Sequence, residues 1–270
     1  MKEGRHPGTR LPLSLLLVLA SAASAQTPVE EVANAKIWLG RAQEFEEFLA
    51  NAELDRLEEI PVGVTRPQRG YFGAGGLLES MSWKAIKPGR YNGFWESYRA
   101  EIAAYELDKL LDLQMIPPTV EKRVKGELGA AVMWVKPVRS FKELGGPPTP
   151  PPTYQAKWNR QLLRAKMFDC LIYNKDPNLG NWLVDPAWNL ILIDHTRSFT
   201  SEKKFAHTLQ RVDSELWQKM KVLTEEQLQL TLGKWLDKGA IRGMIARRDM
   251  MQAEIDKLVA ANGEAAVFVR

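Results

Sequence analysis

The sequence predicts an α+β fold of two lobes, a small β-rich N-lobe with one main helix followed by a mainly helical C-lobe. Three observations predict it. Residues 61–138 hold two pairs of strand-type runs that turn at glycines, with a single helical run between them. "GGPPTPPPT", Gly145 to Thr153, then breaks the composition. From residue 154 onward the apolar spacing is helical except for one short hairpin. With 270 residues, 45% hydrophobic and 26% charged, the chain is long enough to bury a substantial core. The expected division is a leader over 1–25, a helical segment over 26–60, the N-lobe over 61–138, a proline-rich connector over 139–153 and the C-lobe over 154–270.

Taken in order, Lys2, Arg5 and Arg10 precede the apolar "LPLSLLLVLA", and Ala23-Ser24-Ala25 fits a cleavage site before Gln26. This is the pattern of a cleaved secretory signal. It predicts a secreted or periplasmic mature chain from about Gln26. The apolar run is shorter than the roughly 20 residues of a spanning helix, so no stable membrane insertion is expected after cleavage. Removing residues 1–25 takes away three basic residues and Glu3, and the net charge falls from +4 to +2. Such a charge gives nucleic-acid binding no support. The single Cys170 lies in apolar "MFDCLIY" and reads as a buried small hydrophobe. His6, His195 and His207 are too scattered for a zinc site.

Residues 29–57 read as helix, with Ile37, Leu39, Phe45 and Leu49 on one face. "IPVGVTRPQRGYF", "GAGG" and "LLESMSWKAIKPG" read as strand, glycine turn and strand. A helix is predicted from Trp95 to Leu113, with Tyr98, Ile102, Tyr105 and Leu110 inward and Pro117-Pro118 as its stop. "TVEKRVKGELGAAVMWVKPV" reads as a hairpin turning at Lys125-Gly126, with "AAVMWV" fully buried. A helix from Tyr154 to Tyr173 carries Trp158, Leu162, Ala165, Phe168 and Ile172 as its stripe. The tail from Thr208 reads as helical, with a capping box at Thr224 and Gly239 between the last two helices. Trp83, Trp95, Trp134, Trp182 and Trp188 read as packing aromatics, and the basic residues of "IARRDMM" as a solvated helix face.

The chemistry concentrates in "LIYNKDPNLGNWLVDPAWNLILIDHTRSF". Asp176 and Asn181 lie five apart in a loop, and Asp194 ends the second strand of the hairpin that follows. The hairpin brings Asn181 and Asp194 together as oxygen ligands suited to Mg²⁺. Asp176, just outside, is placed to orient a nucleophile and accept its proton. Upstream, Lys84 stands on a predicted strand and Glu101 early in the next helix. A strand lysine held by a helix glutamate contacts nucleotide phosphates, which gives the order of parts used in kinase-type phosphoryl transfer. Two carboxylates alone would repel a polyphosphate, at about 4 kcal/mol per like-charge contact at ~4 Å and an effective dielectric of ~20. A divalent cation and Lys84 are therefore integral to the scheme. Lys87 rivals Lys84, but Pro88-Gly89 ends the strand directly after it.

"AEIAAYELDKLLDLQMIPPTV", "FDCLIYNKDPNLGNWLV" and "LILIDHTRSF" resemble motifs of the atypical kinase superfamily that joins Golgi casein kinases, HipA-like kinases and phosphatidylinositol 3-/4-kinase-like catalytic domains. The resemblance covers roughly Val62 to Phe199. It implies a kinase-like two-lobed fold, ATP with Mg²⁺ or Mn²⁺, and transfer of the γ-phosphoryl group to a protein hydroxyl or other alcohol. By the same resemblance Lys84 is the phosphate-contacting lysine and Glu101 its partner. Asp176 is the catalytic aspartate, Asn181 and Asp194 are metal ligands, and Met133, Trp134 and Val135 contribute backbone to the base. Two departures stand out. Pro177 replaces the arginine that follows the catalytic aspartate, and Thr196 replaces a glycine. Arg197 is placed either to restore the missing charge or to lie in solvent, and His195 is equally a structural or a catalytic candidate. Two other readings use the same residues: an inactive nucleotide-binding module or scaffold, and a transferase of nucleoside monophosphate (AMP).

Overall fold

The computed structural model describes residues 33–60, 67–176 and 178–270, together with Met1 and Gly4. The leader predicted over 1–25 lies outside the described residues, except for those two positions. The chain folds as two lobes. The β-rich lobe is a five-stranded antiparallel sheet in the order β1-β2-β3-β7-β6, built from β1 (Leu54–Glu59), β2 (Gln68–Phe72), β3 (Ser80–Lys84), β6 (Thr119–Val124) and β7 (Glu127–Met133). Helix α1 (Ala42–Asn51) packs on β6 and β7, burying Phe45 and Leu49. Between β3 and β6 the chain makes a short hairpin, β4 (Gly89–Tyr91) and β5 (Phe94–Glu96), and then α2 (Tyr98–Leu111).

The predicted helix over 29–57 is shorter than expected. Residues 29–32 of it lie outside the described residues; among the described ones only Ala42–Asn51 is α-helical, Ala52 turns extended (φ −65°, ψ 137°), and "LDRLEE" becomes the edge strand β1. Its two leucines, three apart, are both half-buried while the charges face out, because the register shifts between Leu54 and Arg56. Ile37 and Leu39, assigned to the packed face, are exposed. They sit in a turn whose start is pinned elsewhere, because the Ala35 N–H donates to Asp185 Oδ2 at 2.9 Å. Trp95 is likewise exposed, on the β4–β5 hairpin rather than in the helix. That hairpin turns at Asn92-Gly93, both at positive φ, a two-residue loop that matches the twist of the strands. The Lys125-Gly126 turn of β6–β7 has the same form, as predicted.

Helix α2 stops at Leu111, before the prolines. Asp112 takes the left-handed conformation at its C-terminus, and the buried Asp108 carboxylate accepts N–H bonds from Gln114, Met115 and Ile116 at 2.8–3.1 Å. The stop is thus set by an acid within the helix. α2 lies between two cores. Tyr98 and Ile102 pack on Ala130 and Val132 of the sheet, while Ala103, Ala104, Leu107 and Leu111 join the core of the helical lobe.

The helical lobe begins with α3 (Gln155–Ile172), which buries Trp158, Ala165, Phe168 and Ile172 as predicted. A three-stranded sheet, β10-β9-β8, follows the same junction, from β8 (Arg139–Ser140), β9 (Trp182–Val184) and β10 (Leu190–Leu192). Its side chains alternate, so Leu183 and Ile191 face the core under the large sheet while Val184, Leu190 and Leu192 face the helical core. Two-residue strands β11 (Val212–Asp213) and β12 (Phe268–Val269) pair in parallel around α4 (Ser214–Lys221), α5 (Glu225–Leu232), α6 (Lys238–Asn262) and α7 (Glu264–Val267). Thr224 caps α5 as its sequence predicts, accepting from Gln227 N at 3.1 Å. Gly239 does not separate two helices; it lies in the first turn of α6, which Asp237 caps. Arg247, assigned to a solvated face, is fully buried. Its guanidinium donates to the carbonyls of Leu171, Thr200 and Glu202 at 2.6–2.8 Å, tying α6 to the end of α3. Among the described residues no helix is long and apolar enough to cross a membrane.

Burial pushes the Asp108 carboxyl up to about 6, against the pull of its three N–H bonds. The protonated acid is therefore favoured by the fold, and its contribution to stability is lost as pH rises from near 4 to about 6. Urea unfolding across that interval should show a decline in wild-type stability relative to Asp108→Asn. Asp108→Ala, which strands the three buried N–H groups, should cost about 2–3 kcal/mol at neutral pH.

Candidate active site

Lys84 is the last residue of β3, held in place by pairing with Ala130 on β7. A neighbouring position of β7 is glycine for a steric reason: a Cβ on Gly129 would come within 2.5 Å of the Lys84 carbonyl oxygen. The Lys84 side chain, 8% exposed, forms an ion pair with Glu101 and a second with Asp194 Oδ1 at 2.8 Å. Burial alone would lower the lysine pKa, but Asp194 and Glu101 outweigh it and raise it above the ordinary value. Burial works in the opposite sense on Glu101, where the charge of Lys84 and the bond from His195 hold the carboxyl well below the usual range.

The segment after β10 completes this arrangement. Asp194 adopts positive φ (62°), a strained state for a residue with a side chain, and so turns the chain sharply. The next backbone N–H, of His195, donates to Glu101 Oε2 at 3.1 Å, and Thr196 Oγ1 bonds Asp194 Oδ1 at 3.2 Å. His195 is buried with its ring edge-on to Phe168 and acts as a spacer beside Glu101. Asn181 lies alongside, its carbonyl accepting from Ile193 N at 3.0 Å across the mouth of the β9–β10 hairpin. Asp176 is part-exposed in the preceding loop; its Oδ1 accepts from Asn178 N at 3.0 Å. Its Oδ2 lies 3.7 Å from the Arg197 guanidinium.

Lys84, Glu101 and Asp194 are thus in direct contact, the Asn181 backbone adjoins the residue before Asp194 across the hairpin, and Asp176 pairs with Arg197, three residues on from Asp194. Met133 to Val135 leave β7 at the lobe junction. There the N–H groups of Met133 and Trp134 bond Pro118 O (2.9 Å) and Ser80 O (3.3 Å). Lys87 is exposed beyond the strand end.

The oxygen donors fit a hard cation. Asp194 is 30% exposed at its side chain, and the Asn181 amide nitrogen is buried without a partner, so nothing anchors that amide through its NH₂. Among the described residues no three His, Cys, Asp or Glu side chains cluster as a metal site. Asp194 and the Asn181 side-chain oxygen are the groups that would hold such an ion, which with so few protein ligands would depend on nucleotide and water for the rest.

Two residues matter more than their sequence context suggested. Arg197 is 17% exposed; its Nε and Nη2 both bond Glu96 Oε1, at 3.0 and 2.9 Å, and its guanidinium lies over the Phe94 ring at 4.7 Å. Glu96, buried at the end of β5, is the partner that the predicted helix from Trp95 concealed. Asp169, whose place on the apolar face of its helix reads as a buried acid hydrogen-bonded to the catalytic loop, is buried on α3 as that reading expects and accepts from Asn174 Nδ2 at 3.1 Å, fixing the loop that carries Asp176.

No family model and no curated protein matches this chain. Solved structures do match in fold. A Golgi casein kinase crystal structure with Mn/ADP bound superposes with a TM-score of 0.63 at 13% identity, over 84% of this chain and 78% of that one. The structure of hydra Fam20 with sugar gives 0.65 at 16%, over 84% and 92%. The Helicobacter pylori proinflammatory kinase CtkA gives 0.51 at 10%, over 80% and 97%. The chain therefore has the two-lobed fold of the atypical kinases.

Lys84→Met leaves the buried Glu101 carboxylate without its main counter-charge and should cost about 3–5 kcal/mol in urea unfolding. Because the Glu101 pKa is depressed, its contribution is present at neutral pH and lost as pH falls below the ordinary carboxylate value. Wild type should lose stability more steeply than Glu101→Gln on acidification below about 4.5.

Proposed function

We propose that this chain is a metal-dependent phosphotransferase that moves the γ-phosphoryl group of ATP to a hydroxyl acceptor. The observation that carries the reading is the Lys84 ammonium held between Glu101 and Asp194 at the lobe junction, with Asn181 and Asp176 on the adjoining loop. Lys84 neutralises nucleotide phosphate. Its second partner, Asp194, and the free amide of Asn181 are the groups that would hold Mg²⁺ or Mn²⁺. That ion would screen the phosphate charge and hold the β- and γ-oxygens in place. On the connecting segment, with the Met133 and Trp134 N–H groups engaged, the Val135 N–H bonds no other group among the described residues and is the one assigned to the edge of the base. Asp176 accepts the proton of the attacking hydroxyl.

Arg197 belongs to this machinery. Pro177 after Asp176 offers no charge there, and the guanidinium that Glu96 fixes beside Asp176 supplies it from the other side of the groove. The Asn181–Asp194 pair forms no closed cage by itself, so metal affinity should depend on the nucleotide. The mature chain is read as secreted or periplasmic, on the Ala23-Ser24-Ala25 pattern.

With γ-labelled ATP, Mg²⁺ and an alcohol acceptor, label should pass to the acceptor; α-label on product would replace this reading with nucleotidyl transfer. Asp176→Asn should lower kcat by about 10²–10⁴ with nucleotide binding retained. Arg197→Met should lower kcat by about 100-fold with little change in KM for ATP. Unchanged turnover in Asp194→Ala would refute the assignment of that residue.

A further inference from the structure

A cavity of about 670 Å³ opens beside Asp176 on the side of the helical lobe. Its walls come from α3, the Asn174–Asp176 loop, Trp182, the connector at Phe141 and Pro147, and the Phe205–His207 segment. None of Lys84, Glu101, Asp194 or Met133–Val135 lines it. Asp176 is the one residue it shares with the proposed transfer site, so a molecule in the cavity presents one end to that carboxylate. The volume is in the range of small-molecule sites, roughly 300–1,000 Å³.

The lining defines what fits. Phe141, Tyr173, Trp182 and Phe205 give the cavity aromatic walls, with Leu162 and Leu179 between them. Most of its polar atoms already have partners. The carboxylate of Asp169 bonds Asn174 Nδ2 through Oδ1 and His207 Nε2 through Oδ2, each at 3.1 Å. The Asn174 Oδ1 accepts from Asp176 N at 3.2 Å, and Lys175 pairs with Glu202. Among the described residues, the polar side-chain groups left for a ligand are the Tyr173 hydroxyl, the Trp182 indole N–H, the second ring nitrogen of His207 and the exposed Lys166 ammonium, while the Asp176 carboxylate, held by Asn178 N and beside Arg197, keeps lone pairs to accept a further bond. A sugar carries a hydroxyl on nearly every carbon, and those turned toward the aromatic walls would go unpaired, at a cost for each. A flat apolar body with one or two hydroxyls leaves none unpaired.

We infer that this cavity is the acceptor site, and that the acceptor is a small aromatic alcohol whose ring stacks between Tyr173, Trp182 and Phe205. The inference rests on Asp176 being the proton acceptor of the proposed reaction. In the transfer step the alcohol oxygen forms a bond to the γ-phosphorus of ATP and gives its proton to Asp176. The bond from that phosphorus to the β,γ-bridging oxygen breaks, the electron pair leaves with ADP, and the product is an aryl-alkyl phosphate monoester. A second hydroxyl on the ring meets His207, whose Nε2 is fixed by Asp169.

The test uses saturation-transfer NMR on the full chain, with tyrosol, glucose and a short seryl peptide as probes. Tyrosol should receive saturation, and should still do so with saturating Mg·ADP, because the cavity is separate from the nucleotide residues. Phe205→Ala, on a half-buried loop position, should weaken tyrosol binding about fivefold, as expected for one aromatic contact. His207→Gln should weaken tyrosol and leave phenethyl alcohol, which lacks the ring hydroxyl, unchanged. With ATP and Mg²⁺, tyrosol should yield a phosphate monoester signal. Displacement of tyrosol by Mg·ADP, or equal binding by both variants and wild type, would overturn the inference. Transfer to glucose or to the peptide with no tyrosol binding would overturn it alone and leave the phosphotransferase reading standing. Tyrosol bound in the cavity but never phosphorylated, with no ATP consumed on any probe, would remove the phosphotransferase reading and the acceptor role together.

Discussion

The Lys84 ammonium is the point at which the two lobes are electrostatically joined. It leaves the β-rich sheet, meets Glu101 on the helix between the cores, and meets Asp194 at the head of the segment that continues into the helical lobe. A buried amine is costly unless it is paired, and here a single carboxylate is not its only partner. Each carboxylate has further constraints: Glu101 also receives the His195 N–H, and Asp194 also receives the Thr196 hydroxyl. The position of any one of these groups is therefore set by the others, and the geometry of the cleft follows from the pairing.

A second link runs parallel to the first. The base of the β4–β5 hairpin is joined to the same segment by the Ser97 N–H to Thr196 O bond at 3.0 Å, and by the buried Glu96 carboxylate on Arg197. The hairpin is short, and its Asn92-Gly93 turn leaves little freedom in the loop. It therefore holds Arg197 against Asp176 as a rigid arm from the opposite lobe. Residues that the sequence separates by about a hundred positions become neighbours through two backbone-anchored contacts.

Much of this was legible from local pattern, and what was not has identifiable causes. Lys84, Glu101, Asp176, Asn181 and Asp194 were singled out by their order, their spacing and the motifs they belong to, and the fold brings Lys84, Glu101 and Asp194 into direct contact. The capping box at Thr224 and the glycine turn at Gly126 were read from chemistry that acts over three or four residues. The β4–β5 hairpin was missed although "YNGF" carries the turn signal, because the helical pattern beyond it was extended backward through Trp95. The end of α2 was assigned to Pro117-Pro118, while the acting group was Asp108, whose carboxylate looks like surface polarity in a string of letters. Arg247 failed for the same reason. Its partners are carbonyls on α3 and on the 200–202 segment, and nothing within its own helix announces them.

The charge balance of the cleft supports the direction of the chemistry independently of any likeness in fold. Lys84 with Glu101 and Asp194, and Arg197 with Glu96 and Asp176, form two clusters of two carboxylates and one cation, so each carries a formal charge of −1. Both cations are already engaged by carboxylates, and neither is free to bind a polyphosphate without sharing. A groove of that sign repels a polyphosphate and attracts a divalent cation. In the proposed reaction an ion and a nucleotide would offset each other's charge as well as the protein's, so their binding would be coupled.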